Sequence, residues 1–292
     1  MSWLAFWRRN RATEPRQSPA ATSRTLGGRR FTRGVPYILP SDNEELNRLD
    51  FQHYMLRFAM RGNFAAPLGN PGSILDIACG TGRWAIEMAT LFPQAHVIGT
   101  DITPPPETPG SPRPSNFTFL QSNMLEGIPF PDNSFDFVHQ RLVIVALPTD
   151  RWVSQTRELL RVTRPGGWVE LVEGDLLSGG PGLARLNALG VQLSQKRGMS
   201  FANAGRLDEV LRQAGARNVE RRLVQIPVGQ RAGRLGAMAE TDYMAILTSM
   251  RGFLIGQGVI SEPEHTRALA QAQAELASGR LTWPFYVAFG QK

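Results

Sequence analysis

Residues 74–82 constrain the fold of this chain more than any other stretch. Ile74-Leu75-Asp76-Ile77-Ala78-Cys79-Gly80-Thr81-Gly82 runs from an apolar strand through an acid into a glycine-rich turn. Arg83-Trp84-Ala85-Ile86-Glu87-Met88-Ala89 then reads as a helix. A second apolar run, His96-Val97-Ile98-Gly99-Thr100-Asp101, ends in another acid about 20 residues past the glycines. Strand, glycine turn, helix, strand and acid in this order form half of a nucleotide-binding α/β sheet.

The spacing also says what the turn can hold. Gly80 and Gly82 let the backbone bend tightly and approach a ligand with no Cβ in the way. The N–H groups opening the next helix face that ligand. Asp101, at the carboxyl end of its strand, is placed to accept hydrogen bonds from both hydroxyls of a ribose. A dinucleotide site wants G-x-G-x-x-G. Ala85 satisfies its looser third position, but no glycine stands at 78 and Asp76 would repel a pyrophosphate. An acid there suits a ligand with an amino group and no phosphate, such as S-adenosylmethionine.

With these residues in place, the chain resembles the class I S-adenosylmethionine-dependent methyltransferases. Their first motif, acid-x-Gly-x-Gly-x-Gly, is matched by Asp76 to Gly82 except that Ala78 replaces the first glycine. Asn123 to Val138 resembles the adenine-side loop and fourth strand. Arg157 to Glu170, containing Pro165-Gly166-Gly167, resembles the following helix, turn and fifth strand. Pro284 to Phe289 looks like the last strand. Further upstream, Tyr37-Ile-Leu39-Pro40-Ser-Asp42 and Glu44-Glu45-Leu-Asn-Arg48-Leu49-Asp50-Phe-Gln52-His53 are similar to LaeA-like methyltransferases of fungal secondary metabolism. Phe137 to Arg141 and Leu223 to Gly229 are similar to that group too.

The resemblance implies a doubly wound, mainly parallel, seven-stranded Rossmann-like α/β sheet. It carries an N-terminal helical cap over 34–70, a core over 71–230, a helical insertion over 231–280 and a last strand over 281–292. It implies S-adenosyl-L-methionine as cofactor. The turn of Gly80, Thr81 and Gly82 would hold the methionine end, Asp101 the ribose and Asn123 the adenine, with Asp76, Ala78, Ile102, Met124 and His139 as further cofactor-binding residues. No metal is expected.

Along the chain, strands are expected near 73–78, 96–101, 117–121, 135–140, 167–173, 219–228 and 281–289. Helices are expected near 41–62, 82–92, 151–163, 207–214, 236–256 and 262–278. Ser41 and Glu44 read as a capping box, and Ser261-Glu-Pro-Glu264 and Gly279 as start and stop signals. Tyr243, Leu247, Met250 and Leu254 share one helix face, which reads as core packing and also as a candidate wall of an apolar acceptor pocket.

Charge divides the chain. Residues 1–33 hold eight arginines against Glu14, so residues 34–292 balance at zero although the whole chain carries a formal +7. A segment this poor in apolar residues reads as a disordered tail. Its tip, with Trp3, Leu4, Phe6 and Trp7 before Arg8, Arg9 and Arg11, has the wrong order for a signal peptide and allows a weak contact with an anionic membrane surface. Nucleic acid is not expected as a partner, because the body has no basic surplus. Cys79 is the lone cysteine, which excludes an internal disulfide and, with no apolar run near 20 residues, points to the cytoplasm.

Methyl transfer needs alignment of acceptor and methyl, exclusion of water and, for some acceptors, a base. His139, ending the fourth strand, is the favoured base; Glu173, ending the fifth, and His53, in the cap helix, are the rivals. Arg141 is placed either to anchor an acidic group of the acceptor or to pair with Glu173. The favoured reading is a methyltransferase acting on O, N or C of a small, apolar or aromatic metabolite. The other is a regulatory cofactor-binding protein, or a protein methyltransferase, working through partners.

Overall fold

The computed structural model describes residues 23–32, 34, 37, 39–106 and 113–292. A hairpin of β1 (Ser23–Leu26) and β2 (Arg29–Thr32) precedes helix α1 (Asn43–Met60). The core then alternates: β3 (Ser73–Ile77), α2 (Arg83–Leu91), β4 (His96–Asp101), β5 (Phe117–Gln121), β6 (Phe135–Arg141), α3 (Trp152–Val162) and β7 (Thr163–Gly174). Helices α4 (Pro181–Gln195) and α5 (Leu207–Ala214) lead to β8 (Arg217–Val228). Helices α6 (Gly233–Ser249), α7 (Arg251–Gly256) and α8 (Glu262–Ala277) separate β8 from β9 (Leu281–Gln291).

The large sheet has seven strands in the order β5-β4-β3-β6-β7-β9-β8. β3 pairs in parallel with β4 and β6, while β9 runs antiparallel between β7 and β8. The order reverses at β3 and β6, so the cleft at their carboxyl ends is the binding position of such a sheet. Interior strands are buried on both faces, which is why β3 reads as an unbroken buried run rather than an alternation. α2 covers one face with Trp84, Ala85 and Met88; α3 and α5 cover the other with Trp152, Leu159, Leu207 and Leu211. A third apolar cluster joins α1, α4, α6, α7 and α8 to the ends of β8 and β9.

Several expectations change. The tail over 1–33 is overturned for residues 23–32, which form the hairpin. Phe31 inserts there into the helical cluster at 3% exposure, and Arg29 holds Asp42 through Nε at 2.6 Å and Nη2 at 2.8 Å. One anchoring aromatic and one bidentate ion pair order a segment whose composition argued against it. The tip with its aromatics, and with it the membrane contact, lies outside the described residues.

The capping box moves by one residue: Asp42, not Ser41, caps α1, its Oδ1 accepting from Glu45 N at 3.1 Å. Ser261 does cap α8. The first insertion helix breaks at Met250 into α6 and α7. α4 was not foreseen. A Cβ at its Gly182 would lie 2.5 Å from the Ala272 nitrogen of α8, so this glycine serves close helix approach rather than a break. The stripe Tyr243, Leu247, Met250 and Leu254 is buried in the helical cluster.

Candidate functional site

The turn after β3 takes a left-handed path. Ala78, Gly80 and Gly82 have φ of 56°, 55° and 72°. Ala78 therefore adopts the backbone that a glycine would take freely, at a cost of about 1–2 kcal/mol for an L-residue. Cys79 N donates to Thr100 O at 2.9 Å, which ties the turn to β4. Gly82 caps α2 with no side chain, so the first N–H groups of that helix are left for a ligand.

Two carboxylates flank the turn. Asp76 is 3% exposed and accepts at Oδ1 from His139 Nδ1 at 2.9 Å. Asp101 accepts from Gly80 N at 2.9 Å and Thr103 N at 3.1 Å, and its burial pushes its pKa up. Each oxygen keeps acceptor capacity for a further donor. At the third edge, Asn123 Oδ1 accepts from Leu125 N at 3.1 Å, so it caps the turn carrying Met124.

These residues line a cleft of about 340 Å3. Asp76, Ala78, Gly80 and Thr81 form its floor, and Asp101, Ile102, Asn123 and Met124 form one wall. Gly82, although part of the turn, does not reach its lining. The opposite wall comes from the cap: Arg30 and Thr32 of the hairpin, then Tyr37, Glu45, Leu49 and Gln52. Arg141 and the Leu142–Ala146 loop close the end. Among the described residues, the 231–280 insertion contributes nothing to this lining, which corrects its expected role as pocket wall. Sheet and α1 already supply the walls, and the insertion packs behind α1.

All three expected base candidates lie outside the cleft lining. His139 is fully buried and stacked on Trp84, with ring centroids 3.8 Å apart and planes 6° apart. Burial keeps it neutral against the pull of Asp76, so its Nδ1–H donates to that carboxylate. Its place is beneath Asp76, not facing an acceptor. Glu173 accepts from Val143 N at 2.8 Å and Ile144 N at 3.2 Å, and burial pushes its pKa up to about 8. It holds the Leu142–Ala146 loop from behind. His53 is 1% exposed, and burial together with the Arg141 charge pushes its pKa down to about 2. Its Nδ1 accepts from Arg141 Nη2 at 2.8 Å, so Arg141 pairs with His53 and not with Glu173.

A polar network in the cap carries no recognisable motif. Arg48 donates to both oxygens of Glu45, at 2.6 and 2.9 Å, and to Asp242 of α6 at 2.9 Å. Gln52 Nε2 also donates to Asp242, at 2.7 Å, and the Tyr37 hydroxyl donates to Glu45 at 3.3 Å. The signal was present: Glu45, Arg48 and Gln52 follow the i, i+3, i+7 spacing of one helix face. A polar stripe on a face turned inward marks a site.

A strand-end acid under a left-handed glycine turn, with a second acid one strand away, fits a nucleoside carrying an amino group. Comparison with known proteins agrees. A methyltransferase-domain family matches residues 74–167. Methyltransferase str3 of Strobilurus tenacellus is 40% identical over 150 residues, and the match covers 51% of this chain and about half (52%) of that protein's length. N-methyltransferase tcpN of Claviceps purpurea is 30% identical over 266 residues, covering 85% of this chain and 94% of the relative. Secondary metabolism regulator laeA of Aspergillus fumigatus is 35% identical over 148 residues, covering 50% and 38%. The chain belongs to the class I S-adenosylmethionine-dependent methyltransferases, in their LaeA-like group. Its cofactor is S-adenosylmethionine, and the residues present fit it: a left-handed glycine turn flanked by two carboxylates with acceptor capacity to spare.

Proposed function

We propose that this protein methylates a nitrogen of a small secondary metabolite, held in the cleft between the glycine turn and the cap. The observation that carries this reading is that continuous cleft, with Asp76 and Asp101 on one side and Tyr37, Glu45 and Gln52 on the other. The bound cofactor supplies an electrophilic methyl on a sulfonium. In our reading Asp76 accepts from the methionine ammonium, Asp101 from the ribose hydroxyls, and Asn123 with Met124 borders the adenine. The cap excludes water and orients the acceptor, Tyr37 and Glu45 accepting its N–H.

Nitrogen is favoured over oxygen for two reasons. The relative matched over nearly its whole length is named an N-methyltransferase. A neutral amine attacks through its own lone pair, and His139, His53 and Glu173 stand outside the cleft lining. The compartment we propose is the cytoplasm. The test uses methyl-labelled cofactor with matched panels of aromatic amines, phenols and thiols. Label in the amines alone is expected; label in the phenols would overturn the nitrogen reading. The likeness to a regulator named laeA supports one second reading. It predicts label in no small acceptor and in a partner protein instead.

A further inference from the structure

Arg141 ends β6 and lines the cleft next to Asp76. Among the described residues its guanidinium makes one hydrogen bond, from Nη2 to the neutral ring of His53 at 2.8 Å. No carboxylate of a described residue forms a salt bridge with it. Arg48, a buried arginine of this region, shows the contrast, with Glu45 and Asp242 both in contact. A half-buried guanidinium that faces a cleft with most of its donors unused by the protein is placed to take an anion there. Burial pulls the Arg141 pKa below its ordinary value, against the opposing pull of the Asp76, Glu87 and Glu170 charges.

Its position is set from behind. Because His53 Nδ1 accepts from Arg141, the ring proton sits on Nε2, 3.2 Å from Glu87 Oε2. Glu87 is in turn held by Arg57 Nη1 at 2.9 Å and Asn63 Nδ2 at 3.0 Å. One guanidinium edge is thus used for orientation, and the remaining donors are left over. Asp76 and Arg141 stand on adjacent parallel strands, where Asp76 registers with His139 and Ile77 with Gln140. Opposite charges end neighbouring strands at one cleft.

We propose that Arg141, beside Asp76 at the cleft, is a carboxylate anchor, oriented by His53 as a positioning residue. The carboxylate has two sources. One is the methionine end of the cofactor, whose ammonium then meets Asp76; the other is an acidic group on the acceptor. The assignment rests on the reading of the cleft as the cofactor site.

The experiment is calorimetric titration of the full chain with S-adenosylhomocysteine and with its decarboxylated analogue, which keeps the ammonium. If the cofactor is the source, Arg141→Gln weakens S-adenosylhomocysteine by about tenfold or more and leaves the analogue unchanged. Arg141→Lys, which keeps the charge, recovers part of the loss. His53→Ala gives a smaller loss with the same selectivity, which general damage to the fold would not produce. If the acceptor is the source, Arg141→Gln binds both nucleosides normally, and benzoate titrated onto the S-adenosylhomocysteine complex binds wild type but not the variant. Equal weakening of both nucleosides by Arg141→Gln would overturn the assignment, as would no change in either together with no benzoate binding. Wild-type protein that binds neither nucleoside would overturn the cofactor reading itself and take this assignment with it.

Discussion

At Asp101 one carboxylate shapes the glycine turn and faces the cleft. Its oxygens hold Gly80 N and Thr103 N, and in the proposed reading their remaining lone pairs take the ribose hydroxyls. Asp101→Ala is expected to weaken S-adenosylhomocysteine binding by about 1–3 kcal/mol, the range for losing hydrogen bonds to a charge; unchanged affinity in a titration would remove Asp101 from the site. His139 acts one layer down. With its Nδ1–H gone, Asp76 stays buried without that donor, so His139→Ala should cost stability by about 1–3 kcal/mol and loosen cofactor binding as well. Normal stability and affinity with slow turnover would instead restore it as a base. Ala78 holds a left-handed backbone, φ 56°, where the family motif has glycine. Ala78→Gly should raise stability by up to about 1 kcal/mol in urea unfolding, the relief of strain outweighing the lost chain stiffness.

Among the elements, β3, β4, β6 and β7 were legible because each carries an apolar run with a polar residue near its carboxyl end, Asp76, Asp101, His139 and Glu173, and the parallel order puts those ends at one edge. What the strand pattern could not show is depth. His139 and Glu173 end strands at the cofactor edge as expected, yet both point into packing, and alternation alone does not separate the layer that lines a cleft from the layer beneath it. α4 was missed because Gly182 and Gly190 weaken its helical pattern, although Gly182 serves contact with α8.

Glu173 also makes the loop beside Arg141 sensitive to pH. Its folded pKa, raised to about 8, lies above its unfolded value near 4.3. Its protonated form is therefore favoured by folding. This contribution is fully present below the unfolded value and is lost as pH rises toward 8. Glu173→Gln should flatten that fall in stability between about pH 5 and 8, measured by urea midpoints; an unchanged slope would show that Glu173 is ionised throughout. Asp42 has the opposite sign. Arg29 beside it, helped by Glu45 N, holds its pKa down at about 2, so its contribution is present above about pH 4 and lost as pH falls toward 2. Asp42→Ala should cost about 1 kcal/mol or more at neutral pH, by removing the cap of α1.

For the whole molecule, the cleft is assembled from segments far apart in the chain. The hairpin, α1 and the ends of four parallel strands line it, and Arg48 bound to Asp242 ties the cap to the insertion across 194 residues. Motifs revealed the strand side of this cleft because glycines and acids keep tight spacing there. The cap side was less legible, since Phe31 is the one buried anchor in an arginine-rich hairpin. A chain starting at residue 34 should therefore melt at lower temperature, having lost about 1.5–3 kcal/mol from Phe31 burial alone. It should also bind cofactor more weakly, because Arg30 and Thr32 leave the wall; full stability and affinity would return residues 23–32 to the status of a tail.

The most direct test of the account is a crystal structure of the protein with S-adenosylhomocysteine. The ribose is expected on Asp101, the ammonium on Asp76 and the nucleoside enclosed between the glycine turn and α1, with His139, His53 and Glu173 out of contact. A nucleoside bound away from Asp76 and Asp101, or an imidazole of His139 touching the ligand, would contradict it.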